Sequence, residues 1–201
     1  MMKLLFNEQM IECEQPASAE KVIEQINKLL QDQYYFNHFI ADGEEVLEEP
    51  ETFLVNNLER IDELTVVAIP AQQFINDLLL SAEEYTERAV SHITAVADEF
   101  YNHPSGASWS ELSNLFEGMQ WLAMATDTVA QSVACPSDWE EILAMTTNLQ
   151  AELGNLEEAL ENTDTVLIAD MLQYEVLPAF EVIAAKVKQI IDTEGMRHDL
   201  N

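Results

Sequence analysis

Positive charge is what this sequence has least of. Lys and Arg together number 8 against 38 Asp and Glu, a formal charge of -30. A surface that negative repels nucleic-acid phosphates and anionic lipid headgroups, which argues against any direct nucleic-acid partner. The shortage is also uneven, since no Lys or Arg stands between Arg88 and Lys186 while acids such as Glu99, Glu117, Glu152, Glu158 and Asp164 continue through that stretch. Such a run reads either as a solvated, solubilising face or as a face matched to a basic partner.

Cysteine is scarce as well. Cys13 and Cys135 are the 2 thiols of a 201-residue chain, too few for a disulfide framework or an all-cysteine zinc site, and they read as reduced. Long apolar runs are missing. The opening MMKLLFNEQMIECE turns polar at Asn7, and no segment approaches the ~20 apolar residues that span a bilayer, so membrane insertion is not expected and a cytoplasmic location is.

Glycine is equally sparse, with Gly43, Gly106, Gly118, Gly154 and Gly195 never clustered, which leaves no phosphate-cradling loop. The Asp42-Gly43-Glu44-Glu45 turn lacks the alternating oxygen ligands of an EF-hand. Metal and nucleophile signatures fail in the same way. There is no Glu-x-x-His of a di-iron bundle, no His-Glu-x-x-His of a zincin and no Gly-x-Ser-x-Gly elbow. Glu99 and His103 are spaced by one residue too many, and His103 precedes Pro104 at a helix end; His38, His92 and His198 are isolated. No catalytic residue, metal ligand or cofactor is therefore assigned.

What is present divides at Pro70. Before it the pattern changes every few residues: KLLFN and MIECE are strand-like runs around a tight turn at Asn7-Glu8-Gln9. Pro16-Ala17-Ser18 then introduces AEKVIEQINKLL, with Val22, Ile23, Ile26, Leu29 and Leu30 on one helical face. YYFNHFIADGEEVLEEP reads as a strand, a turn at Asp42-Gly43 and a return strand, ETFLVNNLERI as a turn or two of helix, and ELTVVAIP as a last strand.

Strand, strand, helix, strand, strand, short helix, strand is an order that resembles the β-grasp, or ubiquitin-like, fold. The resemblance covers residues 1–70 and implies a fused recognition module. It does not imply conjugation, because the last strand runs through Ile69-Pro70 into a helix instead of ending in a diglycine tail.

After Pro70 the period becomes that of a helix. Phe74, Ile75, Leu78, Ala82, Tyr85, Ala89, Ile93, Val96 and Phe100 form one stripe, ended by NHPSGAS. Two further helices open on apparent capping boxes, Ser108 with Glu111 and Ser137 with Glu140. A fourth, capped by Asn162-Thr163-Asp164, runs to about Thr193 before Gly195. Long helices joined by short loops predict an antiparallel four-helix bundle over residues 71–201, ending in a loose tail, MRHDLN. The fold expected is thus α+β, a small β-grasp-like domain followed by that bundle. The second half also resembles uncharacterised helical proteins of Gram-positive bacteria with a D-x-L-x-Y-E-x-L-P run, here DMLQYEVLP, and this resemblance carries no activity.

Two helices are apolar on an unexpected side. In the second bundle helix, Trp121 points away from the stripe of Leu112, Leu115, Phe116, Met119 and Leu122, among Asn114, Glu117, Gly118 and Ala125. The fourth helix has a seam of Ala169, Leu172, Val176, Ala179, Ile183, Val187 and Ile190, and a second stripe of Leu167, Met171, Tyr174, Pro178 and Val182 facing roughly the other way. Pro178 predicts a kink that frees the Tyr174 carbonyl.

Trp121, Leu167, Met171, Tyr174, Pro178 and Val182 are accordingly the candidate interface residues of a non-enzymatic interaction or adaptor protein, which binds a protein partner or itself. An alternative is a small-ligand binder or enzyme with a pocket near the kink, using Asp170 and Tyr174 as a carboxylate–phenol pair. Another is an acidic decoy that imitates DNA to occupy a basic protein.

Overall fold

The structure, a computed structural model, describes residues 2–13 and 18–197. The chain forms two compact units, Met1–Phe74 and Ile75–Asn201, and the boundary falls inside a helix four residues beyond the Pro70 expected from the change of period. Among the described residues the first unit is a five-stranded mixed sheet with two α-helices, and the regular elements of the second are helical.

In the first unit, β1 (Met2–Phe6) and β2 (Gln9–Cys13) form an antiparallel hairpin that pairs Phe6 with Gln9. Asn7, at φ 51, takes the left-handed conformation that such a tight turn requires and that asparagine tolerates. Helix α1 (Ala19–Leu30) starts where Ser18 caps it, its side chain accepting the Lys21 amide. Pro16 and Ala17 lie outside the described residues.

Next come β3 (Tyr34–Ala41), β4 (Glu44–Val46), α2 (Pro50–Asn57), a single 3-10 turn (Leu58–Arg60) and β5 (Glu63–Pro70). The β3–β4 turn is Asp42-Gly43, at φ 49 and 91, the pair of positive angles that a two-residue hairpin favours. Asp42 also acts at longer range. Its carboxylate accepts the amides of Asp62 and Glu63, at 3.1 and 2.7 Å, and so pins the start of β5.

The strand order is β2-β1-β5-β3-β4, with β1 and β5 parallel and the other pairs antiparallel. Alternation along β1 buries Met2, Leu4 and Phe6. These join Leu64 and Val66 of β5, Phe39 and Ala41 of β3, and Val22, Ile26 and Leu30 of α1 in one core. Burying whole Leu, Ile and Phe side chains contributes about 1.5–3 kcal/mol each, which is why the periodicity fixes the sheet's inner face.

The second unit contains most of α3 (Ala71–Tyr101), then α4 (Gly106–Gln131), α5 (Trp139–Glu161), α6 (Thr165–Met171) and α7 (Leu177–Glu194). A π-helical turn, Leu172–Val176, joins α6 to α7 without a break. Late α3 meets early α4 where the Phe100 and Trp109 rings pack edge to face at 4.8 Å and where His92 Nε2 lies 3.3 Å from a Glu111 oxygen. Late α4 meets α5 through a buried Thr126–Thr146 hydroxyl pair at 3.0 Å. Helix α7 lies against α5 at Lys186–Glu141, 2.5 Å, and against α3 at Lys188–Glu87, 3.6 Å. Phe100, Phe180, Ile93, Leu112, Leu122 and Ile142 are fully buried.

Both expected capping boxes are corrected. Helix α4 begins three residues early, with Ser105 as its cap: Ser105 Oγ accepts the Ser108 amide at 3.3 Å and Ser108 Oγ accepts the Ser105 amide at 2.9 Å. A serine thus does the work usually given to glutamate, and Ser108 is buried inside the first turn. Helix α5 begins at Trp139 with no side-chain cap. Trp139 is buried, and its indole N–H donates to the Thr126 carbonyl at 3.0 Å. Packing, not capping, fixes that end.

Gly195 stops α7, and of the tail expected to be loose the two described residues, Met196 and Arg197, are tied to α3. His198 to Asn201 lie outside the described residues. No helix among the described residues is long and apolar enough to cross a membrane.

Candidate functional site

The helix expected to be apolar on two sides turns on Pro178. Proline has no amide hydrogen and, in a regular α-helix, would collide with the carbonyl one turn back. The chain resolves this by widening the turn ahead of it. The Leu177 amide donates to the Leu172 carbonyl, five residues back instead of four, and Pro178 falls in the first turn of α7. The expected kink is therefore a π-turn, a device that recurs at functional positions in helices.

On the inner face Ile168, Ala169, Leu172, Val176, Phe180, Ile183 and Val187 are fully buried, while Ala179 is half-buried. On the outer face Leu167 is 44%, Tyr174 67% and Val182 39% exposed, and Pro178 is exposed beside them. Met171 departs from the expectation, being 9% exposed, because α6 packs closely on α5 and buries everything from Ile168 to Leu172 except the half-buried Asp170. The second stripe is thus an open strip of four residues. Glu175 and Glu181 flank it, both exposed and without an ion pair among the described residues.

Of the alternative pair Asp170 and Tyr174, Asp170 engages a partner much farther away in sequence. The Tyr101 hydroxyl, at the end of α3, donates to Asp170 Oδ1 at 2.5 Å. That bond, with loss of solvation and the Asp170 charge adding to it, pushes the Tyr101 phenol up to about 12. A phenol held that firmly in its protonated form is a poor general base near neutral pH. The cluster is a polar clasp between helices at the rim of the strip.

Trp121 is half-buried, with the Tyr85 ring packed on its edge at 5.4 Å. Tyr85 also touches Phe180, at 6.0 Å between ring centres. Gly118 makes the arrangement possible, since a Cβ there would run into the Tyr85 hydroxyl. That hydroxyl is buried without a hydrogen-bond partner among the described residues, and burial pushes its pKa up to about 12. The sequence puts Trp121 among small residues but does not reveal that Tyr85 of α3 fills the space they leave.

Among the described residues no three His, Cys, Asp or Glu side chains gather in a way that could hold a metal ion. Cys13 and Cys135 are free thiols, each pushed up by burial, with Glu194 adding to the effect at Cys135. A mainly apolar cleft of about 160 Å³ lies in the first unit, lined by Ile23, Ile26, Phe36, Phe39, Pro50 and Leu54 together with the polar Asn27 and Glu51.

Sequence reasoning missed a second cluster, where Asn76 and Glu83 of α3 hold residues 196 and 197. Its partners are more than a hundred positions apart, and no local pattern signals them. Neither the curated proteins nor the solved structures compared with this chain include a match. A family model does: residues 77–186, more than half of the chain and including both the open strip and Glu83, match the domain of unknown function DUF8042, and the chain belongs to that family.

Proposed function

We propose that this chain is a non-enzymatic protein–protein interaction module whose docking surface is the strip Leu167, Tyr174, Pro178 and Val182. The observation that carries the reading is the exposure of that strip on a helix whose opposite face is buried apart from the half-buried Ala179. A helix apolar on both sides calls for a second covering surface. The acids beside the strip and the chain's formal charge of -30 favour a partner segment that is apolar and basic over a second copy, which would bring like charge against like.

Architecture supports the same reading. The N-terminal unit is best described as a β-grasp-like recognition module, given its order β2-β1-β5-β3-β4 and parallel β1–β5 pair. The C-terminal unit is best described as an antiparallel four-helix bundle in which α6, the π-turn and α7 form one rod, given the late-to-early residue pairs along α3, α4 and α5. A continuous helical rod presents its outer face with its backbone already ordered, which lessens the ordering cost of binding.

The test is binding of a fluorescent amphipathic Leu/Lys helical peptide to the full chain, with sizing run in parallel. Saturable binding that weakens with salt and is lost in the Leu167→Glu, Val182→Glu double variant supports the reading. Absence of binding, or a dimer abolished by the same double variant, replaces it with no docking role or with self-association.

A further inference from the structure

The contacts at the end of α7 have the form of peptide recognition. Asn76 is 3% exposed, and its carboxamide engages both backbone groups of one residue: Nδ2 donates to the Met196 carbonyl at 2.8 Å and Oδ1 accepts the Met196 amide at 2.7 Å. A side-chain amide bonded in this way reads an extended backbone and ignores the side chain, and Met196 is 65% exposed. Two helical turns on, Glu83, 8% exposed, accepts a parallel pair of bonds from the Arg197 guanidinium at 2.8 and 2.9 Å. This fork–fork geometry is the strong, specific form of carboxylate–arginine pairing.

Asp192 completes the arginine's surroundings at 2.7 Å. Arg197 holds the Glu83 carboxyl below the usual carboxylate range. Gly195 shapes the entry, since a Cβ there would approach the Ile191 carbonyl oxygen to 2.9 Å and Asn76 Oδ1 to 3.1 Å. Three consecutive residues are therefore read in three ways: the first by close approach, the second by its backbone, the third by charge and planarity.

We propose that Asn76, Glu83 and Asp192 form a binding site for an extended Gly-x-Arg segment, occupied in this structure by the chain's own residues 195–197 and open to the same sequence presented by another molecule. The site is separate from the strip on α6 and α7 and does not depend on it. As a tethered ligand, the chain's own tail competes at an effective concentration on the order of millimolar, so an added peptide enters only when that tail is weakened.

The experiment uses the full chain carrying Arg197→Glu, whose tail Glu83 and Asp192 repel, and a fluorescent acetylated peptide with the sequence of residues 194–201. The variant is expected to bind the peptide while the native chain does not, and adding Glu83→Gln to the variant is expected to weaken binding about tenfold, the effect of one lost charge-assisted pair. A folded variant, checked by circular dichroism, that does not bind overturns the proposal. So does binding indifferent to Glu83→Gln or to a peptide carrying alanine in place of arginine. A second measurement needs no altered tail: in the native chain the Met196 amide is expected to be protected from hydrogen exchange and to lose that protection in Glu83→Gln, and a Met196 amide exchanging as in a free peptide would equally overturn the assignment.

Discussion

The Tyr101 hydroxyl meets the Asp170 carboxylate at 2.5 Å, joining the last turn of α3 to α6 across 69 positions of sequence. Because the carboxylate accepts the phenolic hydrogen, the protonated phenol is favoured in the folded state, and the Tyr101 pKa rises from 10 to about 12. A raised pKa contributes stability that is complete below the unfolded value and is lost as pH climbs through the folded one. Stability is therefore expected to fall between about pH 10 and 12. Tyr101→Phe should lessen the part of that fall due to this phenol, and ultraviolet titration of phenolate should show one late-titrating tyrosine fewer. An unchanged titration would remove the Tyr101–Asp170 bond from the account.

Tyr85 makes the opposite case, a buried hydroxyl with no hydrogen-bond partner among the described residues. An unsatisfied buried donor costs about 1–3 kcal/mol, so Tyr85→Phe, which keeps the ring against Trp121 and Phe180, is expected to stabilise the protein by about 1 kcal/mol. Urea denaturation measures it. A loss of stability would mean that the hydroxyl has a partner after all.

Gly118→Ala sets two principles against each other. Helix propensity alone favours alanine by about 1 kcal/mol, but the new methyl would collide with Tyr85, and overpacking of this kind costs about 1–3 kcal/mol. The collision is expected to win, giving a lower Tm for Gly118→Ala. Pairing it with Tyr85→Leu should restore much of the loss, whereas strictly additive effects would show that the two residues do not touch.

The open strip and its buried neighbour differ in a way that stability alone can read. Leu167→Glu or Val182→Glu should change stability by no more than about 0.5 kcal/mol, as exposed substitutions do. Met171→Glu places a charge in the α5–α6 contact and should cost about 3 kcal/mol or more. Similar penalties for Leu167→Glu and Met171→Glu would show that the strip is covered.

In the buried pair between α4 and α5, Thr126 and Thr146 hydroxyls also reach main-chain carbonyls, Ala123 at 2.8 Å and Ile142 at 3.2 Å. Thr126→Val and Thr146→Val should each destabilise by about 1 kcal/mol, and the double variant by less than the sum. A double-mutant cycle in denaturant gives the coupling directly, and a coupling of zero would leave the pair independent.

The first unit was legible because its signals are local. Asp42-Gly43 can hardly be anything but a tight turn, Ser18 sits one residue before the start of an amphipathic helix, β3 opens on an aromatic run and β5 carries a β-branched one. The helical unit was legible in its faces and not in its ends. Ser137 and Glu140 have the spacing of a capping box, but burying Trp139 against the Thr126 carbonyl outweighs one surface cap. Trp121 looked unpartnered on its own helix because the ring that meets it comes from α3. Pro178 announced a disturbance without saying which kind, since a kink and a π-turn satisfy the same missing amide. Asn76 and Glu83 gave no sign, their partners lying 120 and 114 positions away.

That last pairing has a mechanical side. Asn76 stands at the entrance of the C-terminal unit and Met196 near its exit, so their two opposed hydrogen bonds, backed by the Glu83–Arg197 fork, bridge its ends. Tension applied between residues 75 and 197 therefore falls on these bonds together with the α3–α7 contact at Lys188–Glu87, so the unit is fastened where the chain enters it and where residue 197 leaves it.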